Sequence, residues 1–126
     1  REVNTRHRPL SPPACILTGG ETTVTIRGNG LGGRNMELAL AAGMDLCGMH
    51  NTVLLSAGTD GTDGPTDAAG AFASGSTVER AKMQGLSAQG YLARNDSYHF
   101  FEQIDDLFIT GPTGTNVMDM QILLVG

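Results

Sequence analysis

Along the 126-residue chain the apolar positions recur with two periods, and the changes of period divide it into elements. Ala14-Cys15-Ile16-Leu17-Thr18 predicts a short buried strand, broken by Gly19-Gly20. Thr22-Thr23-Val24-Thr25-Ile26 alternates β-branched residues as a second strand would. From residue 34 to about 49 the period lengthens: Met36, Leu40, Met44 and Cys47 recur at spacings of three or four, which predicts the longest helix. Residues 51–56, with Val53, Leu54 and Leu55, predict a strand that ends in a glycine-rich turn. A helix is expected over about 67–83, weakened by Gly70 and Gly75. Shorter helices follow near 88–93 and 97–104, and residues 106–109 and 121–125 are the last strand candidates.

Strands that alternate with helices predict an α/β fold: a layered single domain with a mixed, mostly parallel sheet flanked by helices. The first two strands, adjacent in sequence, are the expected antiparallel pair. Residues 1–13 stand apart. Arg1, Arg6 and Arg8 face only Glu2 there, and Pro9, Pro12 and Pro13 disfavour a regular helix or a central strand. This stretch reads as a linker or arm from a preceding domain, and Arg1 in the place of a methionine suggests a processed product or a piece of something longer.

A chain of this length with 40% hydrophobic residues can bury a core without a disulfide framework. Cys15 and Cys47 match no metal-ligand spacing, so reducing conditions are the simpler expectation. Thirteen acidic against eight basic residues give a net charge of −5, the reverse of the balance a nucleic-acid module shows. The run Ile122-Leu123-Leu124-Val125 falls far short of the roughly 20 residues that span a bilayer. With no signal peptide in view, the expected location is intracellular and cytoplasmic, with the mitochondrion as an alternative.

Four polar loops are candidates for chemistry. Gly28, Gly30 and Gly33 satisfy G-x-G-x-x-G between a predicted strand and a helix, a context that suits an anion or a dinucleotide. The acid expected about 20 residues further on is missing, since Asp45 comes too early and Asp60 late. Arg34 opens the helix against its macrodipole, either compensated by Glu37 one turn on or gripping an anion together with the helix amides. The second loop, Gly58-Thr59-Asp60-Gly61-Thr62-Asp63-Gly64-Pro65-Thr66-Asp67, sets three carboxylates within eight residues. Its spacing excludes an EF-hand but could serve Mg²⁺, which needs only one or two carboxylates beside phosphate oxygens, or could accept hydrogen bonds from a polyhydroxylated substrate. Asp67 is equally a helix N-cap. In the third, Asn95-Asp96-Ser97 reads first as a cap for the following helix. The fourth, Thr110-Gly111-Pro112-Thr113-Gly114-Thr115-Asn116, is rich in hydroxyls and backbone N–H groups and is either an anion nest or a plain connection. It is no Walker A loop, because the only lysine is Lys82.

In their order along the chain, Gly32-Gly33-Arg34-Asn35-x-Glu37, the Gly58 to Ala68 loop, Asn95-Asp96-Ser97 and Thr110 to Val117 resemble the C-terminal, or MOFRL, domain of class II glycerate kinases. The resemblance covers residues 14–126; Met36 stands where family members often carry Gln. It implies ATP-dependent phosphorylation of D-glycerate to 2-phosphoglycerate, with ATP and Mg²⁺ as cofactors. The site would lie in a cleft between this domain and a larger N-terminal domain that brings a catalytic lysine. Such a C-terminal piece is expected to fold and to be inactive, or nearly so, alone; a second copy of the chain is a further candidate partner.

On this reading the catalytic residues are Arg34, Asp60 and Asp63, with Asp60 and Asp63 also the candidate metal ligands. Substrate or nucleotide contacts fall to Gly32, Gly33, Asn35, Glu37, Gly61, Asp67, Asn95, Asp96, Thr113, Gly114, Thr115 and Asn116. The alternatives are an NAD(P)-dependent oxidoreductase resembling hydroxypyruvate reductases, and a non-catalytic interaction domain.

Overall fold

The last strand organises the sheet. In the computed structural model, which describes residues 2–8 and 10–126 apart from the side chains of Glu2 and Asn4, the strands are β1 Ala14–Gly20, β2 Thr52–Gly58, β3 Gly70–Ser74, β4 Leu107–Phe108 and β5 Asp119–Val125. The helices are α1 Glu2–Arg6, α2 Arg34–Leu46, α3 Thr77–Met83, α4 Ala88–Ala93 and α5 Ser97–Gln103. The strand order is β1-β5-β2-β3-β4, and each neighbouring pair is antiparallel.

This corrects the mostly parallel sheet expected from the alternation of strands and helices. β1 and β2 do run the same way and are joined through α2. β5, however, returns from the far end of the chain and inserts between them, pairing Cys15 with Leu124 on one side and Val53 with Leu124 on the other. Alternation along the sequence fixes strand direction only between neighbours in space, and here no two parallel strands are neighbours.

The expectation of helices on both faces also fails. α2 packs on β2 and β3 and touches α3, α4 and α5, so the helices described after β1 gather over one face. There Met36 and Leu40 of α2 meet Ala71 and Ala73 of β3 and the edge-to-face pair Phe100–Phe101 of α5, whose ring centroids are 5.2 Å apart. Burying each of the large side chains stabilises the fold by roughly 1.5–3 kcal/mol. On the opposite face the register aligns Leu17, Ile122, Leu55 and Phe72 across four strands, and Leu17, Val53, Met120 and Leu124 remain exposed.

Three local expectations change as well. Residues 22–26 belong to no strand, despite their β-branched alternation. The helix expected over 67–83 is instead β3 followed by α3. Gly70 decides this, because a Cβ there would lie 1.8 Å from the Ser56 carbonyl oxygen in the β2–β3 ladder. Asp67, three residues before that strand, therefore caps no helix. Finally, α1 forms just ahead of the prolines and buries Val3. Of the predicted arm, Arg1, Pro9 and the side chain of Glu2 lie outside the described residues.

Candidate functional site

The first turn of α2 carries the densest polar chemistry in the molecule. It holds Arg34, Asn35 and Glu37 around the buried Met36, and the N-cap position is Gly33, which has no side chain to cap the helix. The cap comes from a distant loop instead. Asp63 Oδ1 accepts from Asn35 N at 3.0 Å and Oδ2 from Met36 N at 2.8 Å, satisfying two amides that the helix leaves unpaired. Asn35 Nδ2 donates to Asp63 as well, while its Oδ1 accepts from Ser56 Oγ at 2.8 Å, so buried Asn35 ties α2 to β2. Burial pushes the Asp63 carboxyl above its usual range, against the pull of the Asn35 and Met36 amides. Gly33 permits this approach: a Cβ there would sit 2.5 Å from Asp63 Cγ.

Arg34 turns the other way. Its Nε donates to Asp119 Oδ2 at 2.6 Å and its Nη2 to Asp119 Oδ1 at 3.1 Å, a bidentate fork, and its Nη1 donates to Glu21 Oε1 at 2.7 Å. These two acids, and not Glu37, offset the cost of a cation at a helix N-terminus. The Asp119 pairing raises the proton affinity of the guanidinium further. Asp119 is 2% exposed and opens β5. Sequence reasoning passed over both acids; the one available signal was a carboxylate set immediately before the apolar run of β5.

Glu37, one turn on, is 8% exposed and faces Asn95 and Ser97. Burial raises its carboxyl pKa, and these two polar neighbours oppose the rise.

The Asn95-Asp96-Ser97 segment grips the glycine loop. Asn95 Oδ1 accepts from Arg27 N and Gly28 N, its Nδ2 donates to Thr25 O, and Asp96 Oδ1 accepts from Leu31 N at 2.9 Å. Asp96 stands at the N-cap position of α5 yet makes no capping bond. The glycines serve close packing: a Cβ at Gly28, Gly30 or Gly32 would lie 2.4 Å from Arg94 O, Asp96 Cβ or Ser97 Oγ respectively. With no strand before the loop and two helix amides taken by Asp63, the G-x-G-x-x-G pattern here offers no cradle for a pyrophosphate.

The loop after β2 leans on the loop before β5. Thr113 N donates to Asp60 O, Thr59 Oγ1 donates to Met118 O, and Val117 N donates to Thr59 Oγ1. Gly61, at φ +91°, passes so close to Gly111 that a Cβ would meet its carbonyl oxygen at 2.2 Å. Asp67 is exposed and accepts from Tyr98 Oη at 2.8 Å.

Between the 21–26 segment, the start of α2 and the 60–65 loop lies a cleft of about 570 Å³. Gly32, Gly33, Arg34, Asp60 and Asp63 line it, together with Glu21. Thr113 lines instead a neighbouring, largely apolar groove of about 320 Å³, and Gly114, Thr115 and Asn116 are exposed beyond it. Asn35 is buried behind the cleft. Among the described residues no group of three or more His, Cys, Asp or Glu side chains is arranged to hold a metal ion. Asp60 gives Oδ1 to Thr62 N, and no protein donor among those residues reaches its Oδ2.

The MOFRL family model matches residues 14–119. The chain belongs to the MOFRL family. This MOFRL chain is 53% identical over 125 residues to a D-glycerate 2-kinase of Thermotoga maritima, a match that covers 99% of this chain and 30% of that protein. It is 47% identical to the human glycerate kinase, with 90% of this chain and 23% of that protein covered. The crystal structure of a glycerate kinase from Thermotoga maritima superposes with a TM-score of 0.98 at 53% identity, over 99% of this chain and 30% of that one. A Pyrococcus horikoshii protein superposes at 0.92 with 42% identity, over 98% and 28%. The chain thus spans less than a third of the length of these relatives. No described helix is long and apolar enough to cross a membrane.

Proposed function

We propose that this MOFRL domain forms one wall of the active site of an ATP-dependent kinase that phosphorylates D-glycerate to 2-phosphoglycerate. The observation that carries the reading is the way Arg34 is held. Three of its five N–H donors are taken by Asp119 and Glu21, which fixes the plane of the guanidinium at the cleft wall and leaves two donors for an oxyanion. Phosphoryl transfer asks little of covalent chemistry and much of positioning and of positive charge where oxygens accumulate it. A cation locked in orientation before substrate arrives meets that need without reorganisation. The relatives named D-glycerate 2-kinase and glycerate kinase supply the substrate and the reaction class.

The cleft is acidic overall, since Glu21, Asp60, Asp63 and Asp119 surround a single arginine. A bare triphosphate would be repelled there, so cations must accompany it. Mg²⁺ fits the donor set in a limited way. Asp60 has one oxygen unclaimed by protein donors, whereas both Asp63 oxygens are already committed to α2, and Mg²⁺ commonly binds through one carboxylate together with phosphate oxygens and water. When bound, the ion would neutralise phosphate charge. The remaining positive charge, a lysine included, belongs on this reading to the N-terminal part that the relatives carry.

The test uses the full-length protein. Arg34→Lys keeps a cation against Asp119 and so preserves the buried charge balance, but it loses the planar fork. Turnover of ATP and D-glycerate should fall roughly 10²-fold while the melting temperature changes little. Undiminished turnover in that variant would remove Arg34 from the chemistry.

A further inference from the structure

Glu37 is a buried carboxylate whose Oε1 makes no hydrogen bond within the protein, although Asn95 and Ser97 lie near enough to favour its ionised form. The residue is 8% exposed, and Oε1 is fully buried without a hydrogen-bond partner; the Ser97 hydroxyl oxygen, also buried, is in the same state. Leaving such atoms dry and unpaired is costly, which marks this as a place where a further group completes the bonding. A cavity of about 120 Å³ lies over Glu37, with Asn95 on one side and Val24, Ile26 and Pro65 as apolar walls. Its volume admits several water-sized groups. Val24, Ile26, Gly32, Gly33 and Pro65 line both this cavity and the 570 Å³ cleft, so it is an alcove of the cleft.

The chemistry of the alcove is selective. No lysine or arginine lines it, and the charges of Asp63 and Asp96 act on Glu37 in the same sense as its burial. A phosphate or carboxylate is therefore excluded. Both polar atoms of the Asn95 side chain already serve the 25–28 backbone. What remains in the lining is an acceptor, the Glu37 carboxylate, between apolar walls; Ser97 does not line the alcove. That set suits an uncharged fragment bearing aliphatic hydroxyls.

We propose that the alcove over Glu37 takes a hydroxyl-bearing, uncharged part of the ligand whose anionic part lies at Arg34, and that Glu37 thereby sets specificity for that hydroxyl. The proposal rests on the kinase reading, which offers two sources of this chemistry: the ribose diol of the nucleotide and the non-reacting hydroxyl of the hydroxy acid. The test compares full-length wild type with Glu37→Gln on two ligand series, ATP against its 2′-deoxy and 3′-deoxy forms, and D-glycerate against D-lactate. In the wild type, loss of the hydroxyl that Glu37 accepts should raise KM by roughly tenfold or more, with a smaller change in kcat. In Glu37→Gln that discrimination should shrink for one series only, and the series in which it shrinks identifies the source.

Ile26→Trp, on a wall residue that is 77% exposed, crowds the alcove without a folding risk and should raise the same KM. Discrimination unchanged in both series by both variants would mean that the alcove holds solvent only, and would overturn the proposal. Calorimetric titration of the same ligands separates the two claims. A wild type that transfers no phosphate refutes the kinase reading, whereas hydroxyl-dependent binding that vanishes in Glu37→Gln still upholds the alcove.

Discussion

Arg34 and Glu37 share one helical turn and have opposite fates. Arg34 is about a third exposed and meets two carboxylates; Glu37 is almost wholly buried, and one of its oxygens makes no hydrogen bond. Spacing alone would make them partners, since residues three apart lie side by side on a helix. The fold separates them by giving each a stronger neighbour. β5 delivers Asp119 beneath Arg34, and the 95–97 segment draws Glu37 under the glycine loop. A charge whose partners are built in is a fixed element of the site. A charge left without one marks where something else is to bind.

Removing Arg34 tests the satisfied side most severely. Arg34→Ala strands the Asp119 carboxylate, whose side chain is 1% exposed. Breaking a fully buried pair in this way costs about 3–5 kcal/mol, and the partial exposure of Arg34 lets water offset part of that, so a loss of ~2–3 kcal/mol is expected. Urea denaturation measures it, and adding Asp119→Ala should recover part of the loss. If Asp119→Ala cost as much in the Arg34→Ala background as it does in the wild type, the fork would contribute no net coupling.

Asp63 comes next in size. Asp63→Ala removes the acceptor of two backbone amides and of the Asn35 side chain, an expected cost of about 1–2 kcal/mol. Asp63→Asn keeps one oxygen and should lose less. Amide exchange at Asn35 and Met36 should quicken in both variants; exchange unaltered there would show that Asp63 is not the cap.

Much of this was legible along the chain. The long α2 followed from Met36, Leu40 and Met44, and the two short helices expected near 88–93 and 97–104 are present as α4 and α5. The sheet was not, because its order depends on where β5 inserts, and neither Ile122 nor Leu124 carries any mark of being central rather than an edge. The 67–83 stretch misled for a related reason. Ala68, Ala69, Ala71 and Ala73 suit a helix by propensity, but they are small because β3 runs directly beneath α2, and tertiary contact overrides propensity there. In the site, Arg34, Asp60 and Asp63 stood out as charged residues among glycines. Asp119 lies 85 positions from its partner, and only the folded register of β5 shows which carboxylate Arg34 holds.

The smallest effect is also the most diagnostic of the unsatisfied side. Burial raises the carboxyl pKa of Glu37 in the folded protein above its value near 4.3 in the unfolded chain. A carboxyl shifted upward binds its proton more tightly when folded, so its contribution to stability is fully present below the unfolded value and is lost as pH rises through the folded one. Above that window the ionised Glu37 weakens the fold. Glu37→Gln, neutral at every pH, escapes the loss. The variant should therefore melt higher than wild type near pH 8, and the gap should close as the pH falls toward 4. Its amide also changes the hydrogen bonding of the alcove, but that adds an offset independent of pH, so the slope carries the result. A gap constant between pH 4 and 8 would mean that the Glu37 charge is already compensated in the folded protein, and the contrast with Arg34 would disappear.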